Sequence, residues 1–228
     1  IVMIAGHGKE DNQKAVDEIV RAKGKAASHT VELADVNACK ELIDFTIDKY
    51  GRIDGLINNA GVNDGVDLEN GSPELFVQSL QKNLLHFYTL AHYALPQLKK
   101  NKGVIINIGS KVAETGQGHT SGYAASKGAV NALTREWAAE LLPYSIRVNA
   151  VIPAEVWTPL YEKWINSLPD SQEKLASIIS KIPFEKRFTT AEEIANMVVF
   201  LASEKSSHTT GQIIYVDGGY THLDRSLT

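Results

Sequence analysis

The sequence predicts an α/β fold, a Rossmann-like doubly wound parallel sheet in three layers, and three observations carry that expectation. Short β-rich runs alternate with amphipathic helical stretches from one end of the chain to the other, the pattern of a parallel sheet covered on both faces. The 228 residues are 43% hydrophobic and 22% charged, which suits one large α/β domain spanning 1–228 with a substantial core. The segments rich in small and polar residues follow the β-rich runs, and open parallel sheets present their ligands at the carboxyl ends of their strands.

Taken in order, the predicted strands are IVMIA (1–5), AASHTVELA (26–34), DGLINN (54–59), GVIINIG (103–109), SIRVNAVI (145–152) and GQIIYVD (211–217). Helical periodicity is expected over Glu10 to Lys23, Asn37 to Tyr50, Pro73 to Lys100, Gly122 to Leu142 and Ala191 to Ser203. The long segment 153–190 holds Pro159, Pro169 and Pro183 together with a helical patch, and reads as a lid over a site. There is no internal repeat and no low-complexity linker.

Composition excludes several classes. A net charge of −4 with scattered basic residues marks neither a nucleic-acid footprint nor an anionic-membrane patch, so a small-molecule partner is expected. The single cysteine, Cys39, cannot form an internal disulfide, and the cytosol is the expected compartment. No run is long and apolar enough to span a bilayer. Seven histidines form no ligand set, since His86 and His92 stand six apart and no carboxylate spacing completes them; no catalytic metal is expected.

Chemistry concentrates in IINIGSKVAETGQGHTSGYAASKGA, where a predicted strand ends near Ser110 and a predicted helix carries Tyr123 and Lys127. Residues four apart on a helix share a face, so the phenol and the ammonium project into one site. A free phenol, with a pKa of about 10, is too weak an acid for proton transfer near neutrality, and a nearby ammonium lowers that value. Ser110, at the end of a strand, can hold the reacting oxygen from a second direction. Asn83 is an odd choice inside a helix of Leu, Phe and Ala, because asparagine competes for main-chain hydrogen bonds.

Together with LINNAG (Leu56 to Gly61), KNLLHFYTLAHYALPQL around Asn83, IRVNAVIPAEVWTP (Ile146 to Pro159) and IYVDGG (Ile214 to Gly219), these residues resemble the short-chain dehydrogenase/reductase family in its single-domain form. The resemblance covers nearly the whole chain. It implies alcohol–carbonyl interconversion with NAD or NADP, Tyr123 as acid and base, Lys127 lowering its pKa and holding the nicotinamide ribose, and Ser110 orienting the substrate. Asn83 is implied as the fourth member, holding a water linked to Lys127. Asn59, Ala60 and Gly61 are implied at the cofactor, with Asn59 also supporting the central strand. Asp35 and Val36 are implied near the adenine, and Pro153, Val156 and Thr158 near the nicotinamide carboxamide. A homo-oligomer, dimer or tetramer, is expected through the helices of 73–100 and 122–142.

The family opens with a strand, a glycine-rich phosphate turn and a helix. IVMIAGHGKE matches the family's second strand better than its first, because no third glycine follows Gly6 and Gly8. By this count a βα unit of roughly 30 residues is expected ahead of Ile1. At the end of this strand Ala5-Gly6-His7-Gly8-Lys9 offers no acid for a ribose 2′-hydroxyl, which leaves both NAD and NADP open. Glu155 offers two acceptor oxygens suited to adjacent sugar hydroxyls, and Gln117 and His119 add polar groups before Tyr123. The run from Ser110 to Ile165 looks most like the family's L-fucose and related aldose dehydrogenases, with 3-oxoacyl carrier-protein reductases as the alternative. A scaffold without activity is a third reading, resting only on the phosphate turn not seen in the sequence.

Overall fold

In the computed structural model, which describes residues 1–224, strands and helices alternate as the sequence pattern requires. The order is β1 (Val2–Gly6), α1 (Lys9–Arg21), β2 (Ala26–Thr30), α2 (Val36–Tyr50), β3 (Gly55–Asn58), α3 (Pro73–Leu80), α4 (His86–Asn101) and β4 (Val104–Ile108). There follow α5 (Ser121–Glu140), β5 (Arg147–Pro153), α6 (Pro159–Asn166), α7 (Ser171–Ser180), α8 (Ala191–Ala202) and β6 (Ile213–Val216).

Every strand pairing is parallel. Strand β4 lies between β3 and β5, all five of its residues are buried, and its side chains divide between two cores. Ile105 enters a core with Phe87, Leu98, Val130 and Val148. Val104, Ile106 and Ile108 enter a second with Leu201, Ile194 and Val198 of α8. Period-2 alternation thus turns one apolar run into the middle layer of three.

Local chemistry sets the helix ends. Asp35 caps α2 by accepting from the Asn37 amide at 2.8 Å, and Gly51 closes that helix at φ 75°, a left-handed conformation that suits glycine. Thr190 and Glu193 form a capping box at the start of α8.

The run expected as a strand over 26–34 is shorter. Strand β2 ends at Thr30 because β1, its one strand partner among the described residues, ends at Gly6; beyond the bond from the Val31 amide to the Gly6 oxygen, the chain turns into Asp35. The helix expected over 73–100 is two helices, α3 and α4, joined by a π-helical turn at Gln81–Leu85.

The strands form two sheets, β1–β2 and β3–β4–β5–β6. A cleft of about 600 Å³ is lined by Val2, Met3 and Ala5 of β1 and by Leu56 and Asn58 of β3, with His86 also on its wall. Ile57 of β3 is exposed, unusual for a strand of a parallel sheet.

Candidate active site

The site forms where β4 and β5 deliver their ends. Gly109 donates to the Val151 oxygen at 2.9 Å, and a Cβ on it would lie 2.2 Å from Ile152 Cδ1, so any larger residue here would have to displace the end of the Ile152 side chain. The close approach leads the chain directly into Ser110, which begins a 3₁₀ turn over Lys111–Ala113.

Helix α5 supplies Tyr123 and Lys127, one turn apart. The Ser110 side chain lies close enough to the Tyr123 phenol to favour its ionised form. Lys127 is 2% exposed; its Nζ donates to the Ile108 oxygen at 2.8 Å and lies 5.6 Å from the Tyr123 ring centroid. Burial brings its pKa down to about 8. Burial also raises the Tyr123 phenol, a shift that the neighbouring Ser110 partly offsets. The expected lowering of the phenol by the ammonium is therefore not the dominant effect here, because Lys127 directs its hydrogen bond to Ile108 and desolvation acts on both groups.

Asn83 lies fully buried in the π-helical turn. Its Nδ2 takes the oxygen of Ser79, four residues back, at 3.0 Å, and its Oδ1 accepts from the Val62 amide at 2.7 Å. The side chain thus occupies a carbonyl that a regular α-helix would give to a main-chain amide, consistent with the widened turn. Asn83 meets Lys127 at Gly61, where a Cβ would stand 3.1 Å from Asn83 Oδ1 and 3.6 Å from Lys127 Nζ.

Asn59 and Gly61 are exposed after β3, and the Ala60 oxygen lies 3.1 Å from His86 Nε2. Support of the strand itself falls on Asn58, whose Nδ2 donates to Asn107 Oδ1 on β4 at 3.0 Å, and Asn107 in turn donates to Thr134 on α5. Sequence reading placed that role on Asn59; strand parity, which points neighbours to opposite faces, would have separated the two. His86 was likewise passed over. It is 1% exposed, and burial pushes its pKa down to about 4, so it stays neutral.

Pro153 ends β5 opposite Val216. Val156 faces Thr189 in an isolated parallel bridge, whose bonds run from the Thr189 amide to the Glu155 oxygen and from the Trp157 amide to the Thr189 oxygen. The peptide groups of Val156 itself are therefore directed away from Thr189. Thr158 caps α6 by accepting from the Tyr161 amide at 3.2 Å. Asp35 and Val36 are exposed at the start of α2.

Glu155 is engaged within the protein. One oxygen accepts from Lys111 Nζ, and the other from the Tyr161 hydroxyl at 2.8 Å. Gln117 is exposed, and His119, also exposed, lies 3.1 Å from Asp67. Trp157, Tyr161 and Phe188 stack edge to face at the root of α6, with Trp164 against Tyr161. Among the described residues, no group of His, Cys, Asp and Glu forms a metal cluster, and no helix is long and apolar enough to cross a membrane.

A family model described as enoyl-(acyl carrier protein) reductase matches residues 1–221. The 3-oxoacyl-[acyl-carrier-protein] reductase of Thermotoga maritima is 37% identical over 219 residues, 95% of this chain and 86% of that protein. The chain belongs to the short-chain dehydrogenase/reductase family. This short-chain dehydrogenase is an oxidoreductase that acts on CH–OH groups with a nicotinamide cofactor. The L-fucose dehydrogenase of Bos taurus is 39% identical over 181 residues, 79% of this chain and 66% of that protein. Among solved structures, the Cj0485 dehydrogenase superposes with a TM-score of 0.93 at 43% identity, covering 99% of this chain and 86% of that one.

The residues present fit the nicotinamide end of such a cofactor. Gly61 bares its backbone beside Lys127 and Asn83, and Val156 turns its peptide groups away from their neighbouring segment.

Proposed function

We propose that the protein oxidises a free aldose of the L-fucose kind at its anomeric carbon, with NAD or NADP. The observation that carries this reading is Tyr123 one turn from the buried Lys127 on α5, with Ser110 close enough to favour the phenolate, beside a rim of polar side chains: Glu155 with Lys111, and His119 with Asp67.

Nicotinamide, when bound, supplies the two-electron acceptor for hydride. Tyr123 takes the proton of the substrate hydroxyl as hydride leaves the carbon that bears it, and returns a proton to the oxygen in the reverse direction. Ser110 fixes that oxygen against the phenol. Lys127 sets a positive charge beneath Tyr123 where the phenolate forms, and with Gly61, Val156 and Thr158 it would hold the nicotinamide riboside. Asn83 keeps Val62 and Gly61 against Lys127 and completes the proton path. Asn59, Ala60, Pro153, Asp35 and Val36 belong to the cofactor groove in the same reading. Gln117 and Glu155 select for hydroxyls, Glu155 through the acceptor capacity that Lys111 and Tyr161 leave unused.

Initial rates with L-fucose, D-arabinose and L-galactose, each with NAD and with NADP, against reduction of a 3-oxoacyl thioester test the reading. Oxidation of at least one aldose supports it, and efficient reduction of the thioester with no aldose turned over overturns it. The aromatic lid of Trp157, Tyr161, Trp164 and Phe188 favours the thioester as the second reading, since it would also cover an acyl chain.

Assembly into a dimer or tetramer through α3, α4 and α5 is part of the proposal, supported by exposed Leu75, Val77 and Tyr88 on the first two. Sedimentation at micromolar concentration tests it, and a monomer alone overturns it.

A further inference from the structure

Lys111 follows Ser110 directly, yet it is a buried lysine, 8% exposed, in a turn where solvent would be the ordinary place for an ammonium. Its Nζ pairs with Glu155 and rests over the ring of Tyr220, 3.8 Å from the centroid. Its main-chain oxygen accepts from the amides of Glu114 and Thr115, both at 2.9 Å, so the residue is fixed at both ends. Glu155 in turn holds the Tyr161 hydroxyl in the first turn of α6. Four segments are therefore tied through one ion pair: the Ser110 turn and the segment after β6 through Lys111, and the loop after β5 and the first turn of α6 through Glu155.

We propose that Lys111 is a positioning residue of the reaction site, a latch that joins the Ser110 turn to the root of α6 and thereby sets how the lid closes over the substrate. The inference rests on Ser110 and Tyr123 being the reacting pair, as argued above. Its physical basis is the cost of a buried unpaired charge. Without the ammonium the Glu155 carboxylate, with a side chain 12% exposed, has no compensating cation, and it must turn outward and release Tyr161. Lys111 itself need not touch the substrate.

The test compares the parent protein with Lys111→Met and with the double variant Lys111→Met/Glu155→Gln, which removes both charges. Three quantities are read: melting temperature, amide hydrogen exchange over 159–180, and KM with kcat on whichever substrate the parent accepts. For Lys111→Met the latch predicts exchange in α6 faster by about fivefold or more and KM raised about tenfold, with the dissociation constant of the nicotinamide cofactor unchanged. The double variant should recover the melting temperature but not KM or the exchange rate, because a neutral pair no longer fixes α6. A Lys111→Met protein with KM and α6 exchange within about twofold of the parent overturns the proposal. So does a double variant that recovers all three quantities, which would make the pair a purely structural contact. Failure of the aldose reading is a separate result, seen in the parent alone; KM is then read on the thioester, and the exchange measurement needs no substrate.

Discussion

Lys127 Nζ and the main-chain oxygen of Ile108 stand 2.8 Å apart, so the buried ammonium of α5 is held by the last residue of β4. The contact fixes the cation against the strand end that carries Ser110 two residues later. No carboxylate pairs with this ammonium among the described residues, and its pKa of about 8 reflects its burial.

Lys127→Met should abolish turnover without unfolding the protein. The folded pKa of about 8 lies below the ordinary 10.5, so the burial penalty is fully present below pH 8 and is relieved as pH rises toward 10.5. The full difference amounts to about 3 kcal/mol. Urea denaturation at pH 7 and pH 10 should show the parent gaining stability relative to the variant as pH rises. A gap that does not change with pH would contradict the assignment.

Tyr123→Phe removes the transferable proton while keeping the ring. Turnover should fall by at least about a hundredfold, with nicotinamide cofactor binding nearly intact by fluorescence titration.

His86 ties α4 to the Ala60 oxygen, so it bears on the turn before Gly61. Its folded pKa of about 4 lies below the ordinary 6.5, so the unfolded chain takes up the proton first as pH falls. Stability should decline from about pH 6.5 to pH 4, by about 3 kcal/mol from this residue alone. His86→Gln should show a shallower acid decline in melting temperature, and an identical decline would point to other groups.

The cleft between β1 and β3 is bordered by one edge of each sheet, and we propose that a parallel extended segment fills it. Exposed Ile57 and the buried, unpartnered Oδ1 of Asn58 and Nδ1 of His86 support the reading. Amides of β3 that face the cleft should then be protected from exchange. Exchange of those amides at the rate of an open strand edge would exclude it.

The strand cores were legible because each apolar run had one reading, and the Tyr123–Lys127 face because helical spacing is local. The end of β2 was not legible, since Val31 to Ala34 carry strand-like residues but have no strand beside them. Nor was the break at Gln81–Leu85, where Asn83 stood out but its effect on the turn depends on its bonds to Ser79 and Val62. Glu155 shows the same limit at the candidate site. Its partner Lys111 lies 44 residues away, and no sequence pattern announces a pair closed by the tertiary fold.

The π-helical turn has a consequence for how this chain can vary in length. A wide turn of that kind acts as one residue inserted into an α-helix, which advances everything downstream by about 100°. Helices α3 and α4 are therefore two rods mounted out of phase, and the second presents Phe87, Ala94 and Leu98, all fully buried, only because of that offset. Regular α-helical pitch through Gln81–Leu85 with every residue kept would turn the buried stripe of α4 by about 100° away from the core, whereas removing one residue along with the wide turn would leave that stripe in place. The core thus fixes the phase of α4, and the wide turn held by Asn83 is what lets the segment carry one residue more than a regular helix of the same span.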